Sequence, residues 1–227
     1  MNSKNSEPRP AICQICGSKK SRHFFELSNV PVLSNAFSKT EKKAKNCPKG
    51  KIKLVFCPVC GHIFNRVFDP SRVEYTENYE NPLDFSPTFQ KYAKSLAKDL
   101  ISRYELHGKD IISIGCGKGT FLRLLVKLGN NRGVGFDPAF SNQGETKNSE
   151  DRIRFVGDFY SQKYADYPLD LIISRHTLEH IYNPQEFLKM LREIIGNRTE
   201  AKIFFEVPNA LHVFCRLSVW DIIYEHC

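Results

Sequence analysis

Ile111-Ile112-Ser113-Ile114-Gly115-Cys116-Gly117-Lys118-Gly119-Thr120 is the stretch on which the reading of the fold turns. Its isoleucines read as a buried parallel strand, and glycines at 115, 117 and 119 force a tight turn directly after it. Phe121, Leu122, Leu125 and Leu128 then recur at helical spacing, with Gly129 as a stop. Glycine accepts backbone angles closed to other residues and lets main chain approach a ligand. Strand, glycine turn and helix in that order make a nucleotide site at the end of a parallel sheet. Taken alone, the same turn is equally a tight bend and nothing more.

The spacing narrows the choice. It is G-x-G-x-G, whereas dinucleotide enzymes use G-x-G-x-x-G, and no G-K-[ST] follows for a phosphate loop. A second strand, Gly133-Val134-Gly135-Phe136, ends in Asp137, an acid placed to accept both hydroxyls of a ribose. Together these features resemble the class I S-adenosylmethionine-dependent methyltransferases. The resemblance implies that Gly115, Cys116, Gly117 and Gly119 form the cofactor bed and that Asp137 clamps the ribose. One departure stands out: Ser113 occupies a position where such enzymes usually carry Asp or Glu, so it offers a hydrogen bond without a charge.

The rest of the chain fits an α/β, Rossmann-like sheet. Residues 89–104 carry Phe89, Tyr92, Leu96, Leu100 and Tyr104 at helical spacing, with Gly108 as the stop. Arg154–Asp158, Leu169–Ser174 and Lys202–Pro208 read as the third, fourth and fifth strands. Between the last two, Asn183, Pro184 and Glu186 spell a helix start with a capping box, and Gly196 spells its end. The polar segment 138–151 leaves room only for a short or irregular crossover. Alternating strands and helices imply a mostly parallel sheet.

Charge divides the 227 residues unevenly. Residues 1–75 hold 14 Lys and Arg against 5 Asp and Glu, whereas residues 76–227 hold 19 against 20. The basic excess of the first third favours an anionic partner or is a solvated lysine surface. No apolar run reaches the roughly 18 residues of a membrane span, and the polar start lacks a secretion signal, which points to the cytoplasm.

In a reducing compartment, eight cysteines are not a disulfide framework. Cys13-x2-Cys16-Gly17 and Cys57-x2-Cys60-Gly61 are two knuckles of a four-thiolate zinc site, which is structural because no coordination position stays open. Cys47 and His62 are lesser candidates for the same ion. The chain thus divides into a lead-in (1–10), a small zinc-binding domain (11–75), a tyrosine- and proline-rich linker or flap (76–88) and a cofactor-binding domain (89–227). Cys215 reads as core; His23, His107 and His212 read as surface or packing residues.

Three groups sit after strand ends, where ligands of open parallel sheets bind. Asp137 is the first. Asp158, with Phe159 beside it, is placed to receive an adenine amino group and ring. Arg175-His176-Thr177-Leu178-Glu179-His180 follows the fourth strand, with His176 on the cofactor side. The order of zinc knuckles, Tyr-x3-Tyr, glycine turn, H-x2-E-H, E-V-P-N and a final D-x2-Y-E-H resembles the zinc-containing sugar-nucleotide C-methyltransferase family over nearly the whole chain.

That resemblance implies methyl transfer to a ring carbon of a keto-deoxysugar on a nucleoside diphosphate. His226 would be the base, Tyr224 and Glu225 would orient it or bind substrate, and His180 and Tyr79 would line the same pocket. Histidine suits a base at neutral pH because its proton affinity lies there. The family continues with a further C-terminal domain beginning near this tyrosine and histidine, so the sequence up to Cys227 is expected to lack it and to leave His226 on a fraying end. Two other readings stay open. An RNA methyltransferase would grip phosphates through the basic zinc domain, although no stacking aromatics are interleaved with those charges. A cofactor-binding remnant would keep the fold without turnover.

Overall fold

The computed structural model describes residues 12–34, 36, 38–73, 83–140, 152–218 and 221–227. Its first part is a three-stranded antiparallel sheet of β1 (Arg22–Pro31), β2 (Lys49–Phe56) and β3 (Ile63–Asn65), in that order, with a five-residue helix α1 (Glu41–Lys45) between β1 and β2. Composition suggests a solvated loop for the lysine-rich run Lys39–Lys53, but it contains α1 and five of the eight residues of β2. Its lysines alternate with buried Gly50, Ile52 and Leu54, the period of a strand with one wet face. Lys51 and Lys53 pair with Glu26 of β1 at 2.6 and 3.2 Å on that face. β1 itself was not anticipated, because it is exposed along most of its length and register shifts break it after His23 and Leu27.

The second part is a five-stranded, all-parallel sheet preceded by helix α2 (Pro87–Tyr104). Its strands are β4 (Asp110–Ile114), β5 (Arg132–Phe136), β6 (Ile153–Val156), β7 (Leu171–Arg175) and β8 (Lys202–Glu206), in the order β6-β5-β4-β7-β8. Helix α3 (Thr120–Gly129) follows β4, α4 (Pro184–Ile195) follows β7, and α5 (Ala210–Arg216) follows β8. The order reverses beside β4, which neighbours both β5 and β7, so the ligand crevice lies past the carboxyl end of β4.

Successive residues of β4 feed opposite faces, as strand geometry requires. Ile111 joins Leu100, Ile101, Leu122, Leu125 and Leu171 in one core under α2 and α3. Ile112 and Ile114 join Phe136, Tyr164, Ile172, Leu191 and Ile194 in the other, under α4. Each such aliphatic side chain contributes about 1.5–3 kcal/mol when fully buried.

Helix ends differ in detail from the expectation. α2 starts on Ser86, whose Oγ accepts from the Phe89 amide, and it stops at Tyr104 on a left-handed Glu105 (φ 52°), not at Gly108. Asn183 precedes α4, but its side chain donates to Glu186 Oε2 at 3.2 Å and makes no backbone cap, so the capping box is not formed. Cys215 is exposed on α5, not core. Among the described residues no helix is long and apolar enough to cross a membrane. Most of the 138–151 crossover lies outside the described residues.

Candidate active site and zinc cage

The two knuckles are near copies of one another. The Gly17 amide donates to Cys13 O and the Gly61 amide to Cys57 O, each at 2.9 Å, and both glycines are left-handed at φ 69° and 79°. Cys13 and Cys60 sulfurs lie 3.6 Å apart, as do those of Cys16 and Cys57, and all four ligand atoms fall within 4.8 Å of each other. A tetrahedral zinc with ~2.3 Å bonds needs sulfurs about 3.8 Å apart, so the donor set fits the ion. Desolvation opposes ionisation of Cys57, but the Cys60 and Val59 amides aimed at its sulfur bring the thiol down to about 6. His62 stacks on Phe64 instead of joining the cage, and Cys47 stands outside it.

At the sheet, the glycine turn is built as the spacing requires. Gly115, Gly117 and Gly119 are left-handed at φ 65°, 54° and 76°. A side chain at Gly115 would strike Thr177 at 2.1 Å, and one at Gly119 would strike Phe155 at 2.2 Å. Gly117 faces open space, where a Cβ would meet nothing within 4 Å. Cys116 lies half-buried against Gly135. Asp137 turns toward this bed: Oδ2 accepts from the Gly117 amide at 2.8 Å and Oδ1 from the Ala139 amide at 2.9 Å.

Ser113 is buried in β4. Asp158 accepts from Tyr164 Oη at 2.6 Å, from Lys163 Nζ at 3.3 Å and from the Phe159 amide at 2.8 Å. The hydrogen bond from Tyr164, then that from Lys163, holds its carboxyl below the usual carboxylate range. Phe159 is 70% exposed, an open apolar plate next to that acid. An open glycine bed, a carboxylate directed at it and an exposed ring beside a second carboxylate fit an adenosyl cofactor.

The loop after β7 meets the glycine turn through Thr177 and carries the polar cluster. His176 is left-handed at φ 51°, with Nε2 3.4 Å from Glu206 Oε1 and Nδ1 3.8 Å from Glu179 Oε1. Arg175 donates to Glu206 Oε2 and lies 4.0 Å over the Phe121 ring, and Tyr92 Oη donates to Glu206 Oε1 at 2.7 Å. Burial pushes the Glu206 carboxyl up, but His176, Arg175 and Tyr92 outweigh it and hold it at about 2. Ser174 Oγ, Arg175 Nη2 and Glu179 Oε2 are buried without a hydrogen-bond partner among the described residues. Three orphaned polar atoms at one strand end mark a place where a ligand's polar groups belong.

His226 reaches this cluster on a docked end, not a frayed one. The Cys227 amide donates to Glu179 O at 3.0 Å, and the His180 and His226 rings meet edge to face with centroids 5.0 Å apart. Nδ1 of His226 lies 2.9 Å from Asp221 O and Nδ1 of His180 lies 3.2 Å from Glu225 O. A carbonyl only accepts, so each Nδ1 carries the proton and each Nε2 the lone pair. Burial, then the neighbouring His226, brings His180 down to about 4, and burial lowers His226. Both rings are therefore neutral near pH 7.

Tyr224 and Glu225 face the zinc domain. Tyr224 is 1% exposed, packs with Val32, Ile52 and Leu54, and accepts from the Asp69 amide at 3.0 Å. Glu225 Oε1 accepts from the Ser34 amide at 2.6 Å and Ser34 Oγ at 2.8 Å. Both side chains therefore tie the 224–226 segment to the first sheet. Tyr79 lies outside the described residues.

A Cβ at Gly50 would lie 2.2 Å from the Tyr224 ring. Gly50→Ala is therefore expected to lower stability by about 1–3 kcal/mol, as overpacking does. A thermal melt checks this, and an unchanged midpoint would mean that Tyr224 is not seated there.

Sequence reasoning did not single out Ser34, Gly50 or Asp69, and it read Tyr92 only as part of an amphipathic helix. It quoted Arg175 and Glu206 within motifs without giving them work. No local signal marks any of them, because their partners come from distant segments.

The crevice at the switch point of a parallel sheet, with its glycine bed and the acid directed at it, defines a class I methyltransferase fold, and the thiolate cage adds a zinc-binding domain. Residues 89–227 match a family described as a methyltransferase domain, and residues 13–72 match a zinc-binding domain family. The chain belongs to the methyltransferase-domain family. It is 27% identical to a mitochondrial ubiquinone biosynthesis O-methyltransferase of Dictyostelium discoideum, over 46% of this chain and 37% of that one.

Among solved structures, the plantazolicin methyltransferase BpumL in complex with SAH is 19% identical, with a TM-score of 0.40 over 60% of this chain and 53% of its own. The riboflavin-analogue dimethyltransferase RosA of Streptomyces davawensis is 17% identical, with a TM-score of 0.40 over 68% and 55%. This chain thus spans less than two thirds of the length of each of these relatives.

Proposed function

We propose that this chain is an S-adenosylmethionine-dependent methyltransferase acting on a ring carbon of a keto-deoxysugar carried on a nucleoside diphosphate, with His226 as general base. The observation that carries the reading is the His226 ring: Nδ1 is fixed by the Asp221 carbonyl, and Nε2 is left with its lone pair beside the orphaned polar atoms that end β7. When bound, S-adenosylmethionine supplies an electrophilic methyl group on a sulfonium.

The chain's own residues supply the rest. His226 Nε2 takes the proton from the carbon next to the ketone, and the C–H electron pair moves into the enolate. A positioned base of this kind contributes roughly 10²–10⁴-fold. Arg175, with its buried Nη2 lacking a hydrogen-bond partner among the described residues, is a donor within the cluster for oxygen charge as it develops. Asp137 and the Gly117 amide hold the adenosyl end, so positioning rather than further acid–base work delivers the methyl. Tyr224 and Glu225 hold the base in place from the zinc-domain side.

Two measurements test the reading. Calorimetry with S-adenosylmethionine reports the cofactor site. Solvent deuterium exchange into a nucleoside-diphosphate keto-deoxysugar, followed by NMR, reports the base. Binding together with exchange is the expected result. Cofactor binding with no exchange would remove the sugar chemistry and leave a cofactor-binding domain.

A further inference from the structure

Glu179 is a buried carboxyl to which the proton abstraction described above gives no task. Its side chain is 11% exposed, and Oε2 is buried with no hydrogen-bond partner among the described residues. His176 Nδ1 lies 3.8 Å from Oε1, beyond hydrogen-bond reach, and the same ring lies closer to Glu206, at 3.4 Å. Glu206 also receives Arg175 and Tyr92, so the donors at this strand end gather on one carboxylate and not on the other. Burial pushes the Glu179 carboxyl up, its own amide and His176 pull it back, and the charges of Asp221 and Glu206 push it up again. The form that tolerates such a place is the neutral acid, which carries no charge to desolvate and has an O–H to give. The Cys227 amide donates to Glu179 O at 3.0 Å, and a carboxyl oxygen of Glu179 lies within 4.8 Å of a ring nitrogen of His226. One ligand in the crevice therefore reaches both side chains.

We propose that Glu179 is a second catalytic residue of this reaction: in its protonated form it gives a hydrogen bond from its carboxyl O–H to the ketone oxygen while His226 removes the neighbouring C–H proton. This role rests on the sugar reading above. The C–H pair becomes the C=C bond of the enolate, the carbonyl π pair moves onto oxygen, and the proton stays on His226. Arg175 meets that oxygen charge as a fixed cation, whereas Glu179 adds a neutral donor that rising pH removes. Burial lowers His226, so the acid form of Glu179 and the base form of His226 coexist on the acid side of neutrality. Exchange is therefore highest there and falls as rising pH ionises Glu179.

Two variants separate a donor from a packing role. Glu179→Gln keeps an uncharged donor, and Glu179→Leu keeps bulk without one. In solvent deuterium exchange into a nucleoside-diphosphate keto-deoxysugar, Glu179→Leu is expected to lose about 10²–10³-fold, as removal of an oxyanion donor does. Glu179→Gln is expected to lose less and to lack the fall in rate that wild type shows as pH rises. Circular dichroism and affinity for S-adenosylhomocysteine should match wild type in both. Equal loss in the two variants, or the same alkaline fall in Glu179→Gln, would overturn the role; the second outcome decides even where Glu179→Leu does not fold. An infrared readout needs no turnover. At about pH 5.5, where an ordinary glutamate is ionised, the difference between wild type and Glu179→Gln should contain the C=O stretch of a protonated carboxyl. Its absence would overturn the neutral acid by itself. Wild type that exchanges no deuterium would remove the sugar reading and this catalytic role with it, while the infrared band separately reports the state of Glu179.

Discussion

Stripping the cage zinc with a strong chelator is expected to unfold residues 13–72 and, in the same event, to release His226 from its position. The first half follows from how little else holds the knuckles. Their core is Cys13, Val55, Cys57 and Phe64 with Ile15 beside it, so two of its four buried members are the ligands themselves. Metal affinity in such a domain is largely its folding energy, an apparent ~10–16 kcal/mol. The second half follows from the far side of the same sheet. Val32, Ile52 and Leu54 form one buried cluster with Tyr224, and Ser34 and Asp69 supply the hydrogen bonds that hold Glu225 and Tyr224.

Losing β1 and β2 removes that seat. Hydrogen exchange should then show amides of β2 and of residues 222–227 losing protection together, while β4, β5 and β7 stay protected. Cofactor binding should persist, because the glycine bed belongs to the parallel sheet. Retained protection at 222–227 after the zinc has left would show that the end of the chain does not depend on the domain beneath it.

That coupling was invisible in the sequence, and the reason is physical. What could be read was local. The isoleucines from Ile111 to Ile114 face cores on both sides of their sheet, so the strand shows as a run that is apolar but for Ser113, and the glycine turn follows it without a gap. Each zinc knuckle supplies two ligands and its own turn glycine within five residues, Cys13 to Gly17 and Cys57 to Gly61.

What could not be read was long-range or hidden under charge. Glu225 finds Ser34 across 191 positions and Tyr224 finds Asp69 across 155. Those lie far beyond the period of any helix or strand. The start of β2, Lys49–Lys53, was obscured because its outward residues are lysines, and composition masks an alternation that geometry makes plain. Glu206 was legible as part of a strand end but not as the hub for Arg175 and Tyr92, since a buried carboxylate becomes intelligible only once its donors are placed.

Replacing His226 with glutamine is expected to lower deuterium exchange into the keto-deoxysugar nucleotide by about 10²–10⁴-fold, the range a positioned general base supplies. Glutamine keeps much of the bulk, but its amide is no base. The substitution should leave the fold intact, because Tyr224 and Glu225 anchor the segment independently of the imidazole. Affinity for S-adenosylhomocysteine should be unchanged, since Asp137 and the Gly117 amide lie in another loop.

The pattern separates a base from a support. Loss of a support acts through geometry: Gly50→Ala pushes on Tyr224, so exchange and melting temperature should fall together. Loss of the base acts on the rate alone, with kcat for exchange falling and KM for the sugar nucleotide steady. An exchange rate within about threefold of wild type would leave His226 no role as base, because a factor that small is under 1 kcal/mol of barrier. Cofactor affinity falling in parallel would assign the histidine to the architecture of the crevice instead.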